Sequence, residues 1–292
     1  IGRLVGSEMC IRDRYYSNLC NFLKKEKVYF FPYSFIAPYD DELINNANVV
    51  MRTEVIQALL EKTKEKIYIV TYPEGVFEKF PEERIQKEKR TIVNKKDKIQ
   101  IGDFVESLNN NGFNKVDFVV EPGEFAVRGN IIDVFSFSYK KPVRIELDGN
   151  DVERLRLFDP NTQLTEDDIK EAKIISNKSL EDKGGNYVSL FNFFNEDWVI
   201  WGDEISLSAN IIDEKNNQAI ELYEEIKNKS KVVLSLPPKK RFLDKNLFLE
   251  ELSRFKRVEF GRENKKNNST KIKYNSSPQP KFNKNLSLLV DD

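Results

Sequence analysis

Between Val119 and Leu164 the chain reads VVEPGEFAVRGNIIDVFSFSYKKPVRIELDGNDVERLRLFDPNTQL, and the turn residues in this stretch leave few choices of fold. Pro122 fixes φ at the second position of a turn and Gly123 permits φ > 0 at the third, which are the requirements of a type II turn, so two strands are expected to meet here. Gly149-Asn150 marks a further reversal. The segments FAVRG, IIDVFSF, PVRIELD and VERLRLF are short, rich in β-branched and aromatic residues, and separated by turn signals. That is the spacing of an antiparallel meander.

Side chains alternate along a strand, so Val143, Ile145 and Leu147 take one face and Arg144, Glu146 and Asp148 the other. The apolar face must meet a core. In the preceding strand Phe125 and Val127 oppose Arg128, which sets Arg128, Arg144 and Glu146 on one common wet face. Two readings stay open: a docking surface, or the ordinary solubilising charges of a half-covered sheet.

Upstream, VYFF at 28–31 reads as a buried strand, Thr53 as the cap of a helix carrying Val55, Ile56, Leu59 and Leu60, and KIYIVTY at 66–72 as the next strand. Strand, helix, strand is an α/β signature, with a mostly parallel sheet as its usual solution. Pro73 favours another helix start, running through Phe77 and Phe80. A strand at Thr91–Val93 and a helix near Ile101–Asn110, stopped by Gly112, then lead into the meander. A helix packed on one face of the sheet would leave charges on the other. After Asp159 the pattern suggests a return to the α/β layer at Glu171–Ile175 and Trp198–Trp201.

Composition narrows the chemistry. The chain of 292 residues has room for more than one domain, and it contains no histidine. Ser-His-Asp and Cys-His catalysis are therefore excluded, together with the commonest zinc ligand. Cys10 and Cys20 are too few for a disulfide framework or a structural metal site, and a reducing, cytoplasmic setting follows. No apolar run has the length of a membrane span, and YFFPYSFIAPY is interrupted by Pro32 and Pro38. The first fourteen residues, IGRLVGSEMCIRDR, share no pattern with the rest and read as a non-native leader or, alternatively, a short native strand. The sequence stops at Val290-Asp291-Asp292 inside an apolar pattern, so both ends read as cut.

DWVIWGDE places Asp203 and Glu204 after a strand, as in the acidic motif that holds magnesium in helicase-type ATPases. No G-x-x-x-x-G-K-[ST] phosphate loop occurs anywhere in the chain, so an acidic strand end in a degenerate nucleotide-binding fold fits better. No cofactor is expected. Charge is segregated despite a formal total of −1: the net is −10 between Glu146 and Ser235 and +9 between Lys239 and Lys284. The basic segment reads either as a solvated surface with a linker or as a contact for DNA phosphates.

The runs EPGEFAVRG-x-IIDVFSFS, P-x-RIE and FDPNTQL resemble the second domain shared by the excision-repair protein UvrB and the transcription-repair coupling factors, the latter being the nearer pattern. NANVVMRTEVIQALLEK, IYIVTYPEGVFEKF and SPQPKFNKNLSLLVDD extend the resemblance over most of the chain. It implies an α/β and α+β fold: a degenerate helicase-like α/β domain, split by an inserted domain with an antiparallel β-meander and a helix. The expected division is a leader at 1–14, the first half of the UvrB-like domain at 15–88, the insert at 89–158, the second half at 159–274, and a linker with the start of another domain at 275–292.

The resemblance also implies function. In this family the second domain is the surface that binds UvrA, the damage-recognition protein, and the family's arginines fall on Arg128 and Arg144, with Glu146 at the acidic position. The family pattern then continues with two aromatic residues where this chain has Leu147 and Asp148, so Asp148 stands where an interface anchor is expected. Asn130 replaces a second glycine. The chain itself is expected to be non-catalytic. In the family's longer proteins, separate parts bind RNA polymerase and double-stranded DNA and use ATP and Mg. Two alternatives stay open: a UvrB-type DNA-damage-binding ATPase whose phosphate loop lies upstream, and a DNA-clamping structural module.

Overall fold

The computed structural model describes residues 14–23, 27–34, 38–39, 44–60, 66–82, 90–175, 186–229, 236–260, 270 and 272. The expected leader, apart from residue 14, and the expected linker at 275–292 lie outside these residues. Among the described residues no helix is long and apolar enough to cross a membrane.

The chain begins with helix α1 (14–22) and strand β1 (Lys27–Phe31), followed by α2 (Asn46–Leu60), β2 (Ile67–Thr71), the short α3 (Pro73–Phe77) and β3 (Phe80–Pro81). β1 and β2 pair in parallel, from Lys27↔Ile67 to Phe31↔Thr71, with α2 as the crossover between them. α2 starts seven residues before the predicted Thr53. The side chain of Asn45 accepts the Asn48 amide at 3.1 Å and caps it. Thr53 lies inside the helix, where its hydroxyl donates to the Val49 carbonyl at 2.8 Å, a bond available to threonine away from a cap. The helix predicted through Phe80 stops at Phe77, and Phe80 pairs with Val188 instead.

The middle of the chain comprises β4 (Thr91–Asn94), α4 (Ile101–Asn110), β5 (Asn114–Lys115), β6 (Glu124–Arg128), β7 (Ile131–Val134), β8 (Val143–Asp148), β9 (Asp151–Phe158), β10 (Thr165–Asp168) and β11 (Glu171–Ile174). Strands β5 to β10 form one six-stranded sheet in consecutive order, antiparallel except for the β5–β6 pair. The Pro122-Gly123 turn therefore opens β6 rather than closing a hairpin. Gly123 has φ 92°, and the Glu124 amide donates to the Glu121 carbonyl at 3.3 Å across the turn.

Helix α4 sets Ile101, Phe104, Val105 and Leu108 against Phe125, Ile132, Val134, Val143, Ile145 and Leu155 on one sheet face. Each fully buried side chain of this size contributes roughly 1.5–3 kcal/mol. Glu171–Ile175 does not return to the α/β layer. β11 pairs antiparallel with β4, and its Ala172 and Ile174 join the core under α4. The reason is their alternation: Ala172 and Ile174 point to one side, which the sheet and α4 already line with apolar groups.

The last part contains β12 (Tyr187–Val188), a 3-10 turn (Leu190–Phe193), β13 (Val199–Asp203), α5 (Ile205–Lys229), α6 (Pro238–Arg241), α7 (Lys245–Ser253) and β14 (Lys256–Phe260). Strands β13 and β14 pair in parallel. Among the described residues, the expected mostly parallel sheet is present as two parallel pairs, β1–β2 and β13–β14. One core joins residues from both sides of the middle region: Phe31, Val55, Ile56 and Phe77 pack with Leu190, Ile212, Phe242 and Leu252. The rings of Phe77 and Phe242 stack with centroids 4.5 Å apart.

In that core Arg52 is almost fully buried. Its Nη1 donates to the Pro32 and Gly75 carbonyls at 2.6 and 2.7 Å, and its Nη2 lies 3.1 Å from Glu78 Oε2. Its guanidinium sits over the rings of Phe31 and Phe80, 4.3 and 4.7 Å from their centroids. Burial pulls its pKa down and the charge of Glu78 opposes that. Gly75 must be glycine, since a Cβ there would come within 2.6 Å of both the Phe31 carbonyl and Thr71 Oγ1.

Candidate docking face

The face of the six-stranded sheet opposite α4 is set by register. Arg128 pairs with Ile131, Ile131 with Glu146 and Glu146 with Arg154, which makes one row; Asp133, Arg144 and Arg156 pair in the next. Partners across a ladder share a face, so Arg128, Arg144 and Glu146 lie together as the alternation predicts. Two-residue turns hold this register. Gly129 and Gly149 occupy their first positions with φ 59° and 62°, the conformation of a II′ hairpin turn. Asn130 is not at positive φ, so its replacement of a second glycine asks nothing of the backbone.

At the centre lies Asp133, which is completely buried. Arg144 grips it with two bonds, Nε to Oδ1 at 2.8 Å and Nη2 to Oδ2 at 2.9 Å, and Arg128 Nη2 donates to the same Oδ2. Such a two-pronged arginine–carboxylate bond fixes orientation as well as charge. The hydrogen bonds that Arg144 donates to Asp133 raise its pKa, and it stays a cation. Its guanidinium also covers the Phe158 ring at 4.6 Å, and its Nη1 donates to the Gln163 carbonyl at 3.4 Å. Arg144 is 14% exposed and Arg128 is 37% exposed, so the buried acid presents one arginine to solvent and holds the other mostly covered.

Arg144 and Arg156 are direct cross-strand partners, a like-charge pairing that would ordinarily be unfavourable. Each has its own carboxylate: Asp133 takes Arg144, and Glu146 takes Arg156, which also donates to Thr165 Oγ1 at 3.2 Å. Glu146 is thus committed to Arg156 within the sheet. Asp148 is exposed at the end of β8, past a register shift between Glu146 and Leu147. Leu147 is buried in the core under α4, which accounts for an aliphatic residue at the first of the two family aromatic positions.

The loop after β9 closes the margin of the face. Asp159 Oδ1 accepts the amides of Asn161 and Thr162 at 2.9 and 2.8 Å, and these backbone bonds, that of Thr162 foremost, lower its pKa. Gln163, at φ 61°, then turns its side chain to the Val119 and Pro160 carbonyls at 3.1 and 2.7 Å. Beside Arg128 the Phe118 ring lies 5.2 Å from its guanidinium, and Phe118 is 60% exposed.

Asp133, Arg156, Gln163 and Phe118 escaped the sequence reading. For Asp133 the signal was present: alternation in IIDV opposes it to Ile132 and Val134. The face offers charge-assisted hydrogen-bond donors held in place by Asp133. Elsewhere, Asp203 and Glu204 are exposed, and no group of three or more metal-ligating side chains occurs among the described residues. Of the basic KKRF run, Arg241 is buried against Tyr39 and Phe242 and is no part of a surface stripe. Most of the NKKNNSTKIK run lies outside the described residues.

Residues 92–180 match the UvrB interaction domain. A transcription-repair-coupling factor of Myxococcus xanthus is 44% identical over 64 residues, which cover 22% of this chain and 5% of that protein. One from Borreliella burgdorferi is 33% identical over 115 residues, 39% of this chain and 10% of that protein. One from Staphylococcus aureus is 30% identical over 175 residues, 59% of this chain and 14% of that protein. The match thus spans a small part of each of these relatives' length. Residues 92–180, with Asp133 and its two arginines at their centre, are thus similar to the UvrB interaction domain, within a chain similar over part of its length to transcription-repair-coupling factors.

Proposed function

We propose that this chain is a UvrB-like, non-catalytic module of a transcription-repair coupling factor, and that its sheet face recruits UvrA during nucleotide excision repair. The observation that carries the reading is the buried Asp133 holding Arg128 and Arg144 on the face opposite α4, inside the UvrB interaction domain. Pre-positioned arginines lower the ordering cost of binding and are frequent interface hot spots. The module works within a longer protein whose other parts clear a stalled RNA polymerase from double-stranded DNA with ATP. This region then brings UvrA to the exposed lesion.

Titration calorimetry of the chain against UvrA tests the proposal. The Arg128→Ala/Arg144→Ala double variant is expected to lose more than roughly 2 kcal/mol, the scale of a hot spot. A wild-type chain that folds and does not bind UvrA would refute it. Binding to duplex DNA alone, weakening steeply with salt, would favour the DNA-clamping reading instead.

A further inference from the structure

Phe118 is an exposed aromatic side chain on a segment that is not free to move. Val116 donates its amide to the Phe125 carbonyl at 2.9 Å, prolonging the β5–β6 pairing toward Phe118. Val119 is fully buried among Ala126, Phe135 and Phe158. The amides of Val120 and Glu121 both donate to Glu124 Oε2 at 2.8 Å, and Gln163 donates to the Val119 carbonyl. Because Val119 points inward, Phe118 and Val120 point away from that core, and they are 60% and 48% exposed. Leu164, next to the Gln163 that clasps this segment, is 68% exposed. Three solvent-exposed apolar side chains therefore lie along the margin of the face that carries the Asp133-held arginines, with Phe118 in contact with Arg128.

The family pattern that this stretch resembles carries an aromatic residue at the position of Asp148, where this chain has an exposed carboxylate. Asp148 ends β8, two strands across from Arg128 on β6, or about 10 Å at the usual strand spacing. We infer that Phe118 is the aromatic anchor of the UvrA-docking face in this chain. It acts from the β5 edge of the sheet in place of the missing aromatic at the end of β8, and it enters an apolar recess of UvrA bordered by carboxylates that meet Arg128. The assignment rests on the docking reading above. Three features favour it. The ring is held by its segment before binding, an aromatic side chain has only two torsions to lose, and Arg128 stacked on one side of the ring makes a composite apolar and cationic plug. The complementary partner surface is apolar with an acidic border, which a nucleic-acid backbone does not provide.

The test is calorimetric titration of purified UvrA into the full chain, comparing wild type, Phe118→Ala, Asp148→Ala and Arg128→Ala/Arg144→Ala. Phe118→Ala is expected to raise Kd at least tenfold, and Asp148→Ala to change it less than twofold. Thermal unfolding of Phe118→Ala should match wild type, because the side chain is exposed. If Phe118→Ala binds within twofold of wild type while the double arginine variant loses binding, the anchor assignment is overturned and the docking reading stands. If wild type does not bind, both fall. Hydrogen exchange of the wild-type chain supplies a second readout that needs no variant. The amides of residues 117–120 are expected to gain protection when UvrA is added, and unchanged exchange there under saturating UvrA would also overturn the assignment.

Discussion

Two arginine–carboxylate clusters in this molecule use the same chemical groups in opposite orientations. In the shared aromatic core the arginine is the buried member: Arg52 is 3% exposed and Glu78 is 16% exposed at its edge. On the sheet face the carboxylate is buried and the arginines approach solvent. The first arrangement spends its hydrogen bonds inward. Arg52 ties β1, α3 and α2 together through the Pro32 and Gly75 carbonyls, and Ser34 Oγ donates to Glu78 Oε2 at 2.5 Å. The second leaves donors at the surface and fixes where they point. Which member of an ion pair is buried therefore separates a structural clasp from a recognition device.

The largest expected effect is on Arg52. Arg52→Ala would leave Glu78 and two backbone carbonyls without their donor, and breaking a buried pair in this way costs about 3–5 kcal/mol. Urea unfolding should show it, and a loss below about 1 kcal/mol would collapse the distinction drawn between the clusters. Asp133→Ala should cost less, about 1–3 kcal/mol, because the arginines it releases can reach water. It should also weaken UvrA binding by freeing Arg128 and Arg144 to sample other orientations. Arg128→Ala should change stability by less than about 1 kcal/mol, as expected of a partly exposed pair, while lowering UvrA affinity at least tenfold. A variant that lost stability and affinity in proportion would show that Arg128 is structural.

The smallest effects separate the clusters by pH. Burial, followed by the charge of Glu78, pushes the Tyr33 hydroxyl up. The unfolded chain ionises this group near pH 10, so its contribution to stability is complete below that value and erodes as pH rises through the higher folded pKa. Asp159 behaves in the reverse sense. The amides of Thr162 and Asn161 lower its folded pKa, so its contribution is present above the ordinary carboxylate range near pH 4 and lost as pH falls through the lower value. Denaturant unfolding across pH should lose part of its alkaline slope in Tyr33→Phe and part of its acid slope in Asp159→Asn.

Much of this was legible in the sequence because two-residue turns and alternation leave little freedom. Gly129 and Gly149 set the register, and the register alone puts Arg128, Arg144 and Glu146 on one face. What escaped depends on distant partners. Thr53 has the chemistry of a cap, yet Val49, Val50 and the core beneath them extend the helix back to Asn46. Asp133 was hidden in an apolar strand, and only the arrival of two arginines from neighbouring strands makes burial of its charge tolerable. Phe118 lies outside any regular element, and its rigidity comes from Gln163 and Glu124, which no local pattern connects to it.

The pairing of β4 with β11 bears on the order of assembly. Thr91 and Ile174 are ladder partners, so the middle region begins and ends at nearly one point. For the aromatic core that draws on both flanks, from Phe80 to Leu190, a folded middle region shortens the connecting chain from about 110 residues to about 25. The difference in closure entropy is about 1 kcal/mol, since that cost grows only as the logarithm of length. A chain in which the β4–β11 clasp closes first brings its two distant halves together ahead of their own contacts. Loosening that clasp should slow formation of the aromatic core.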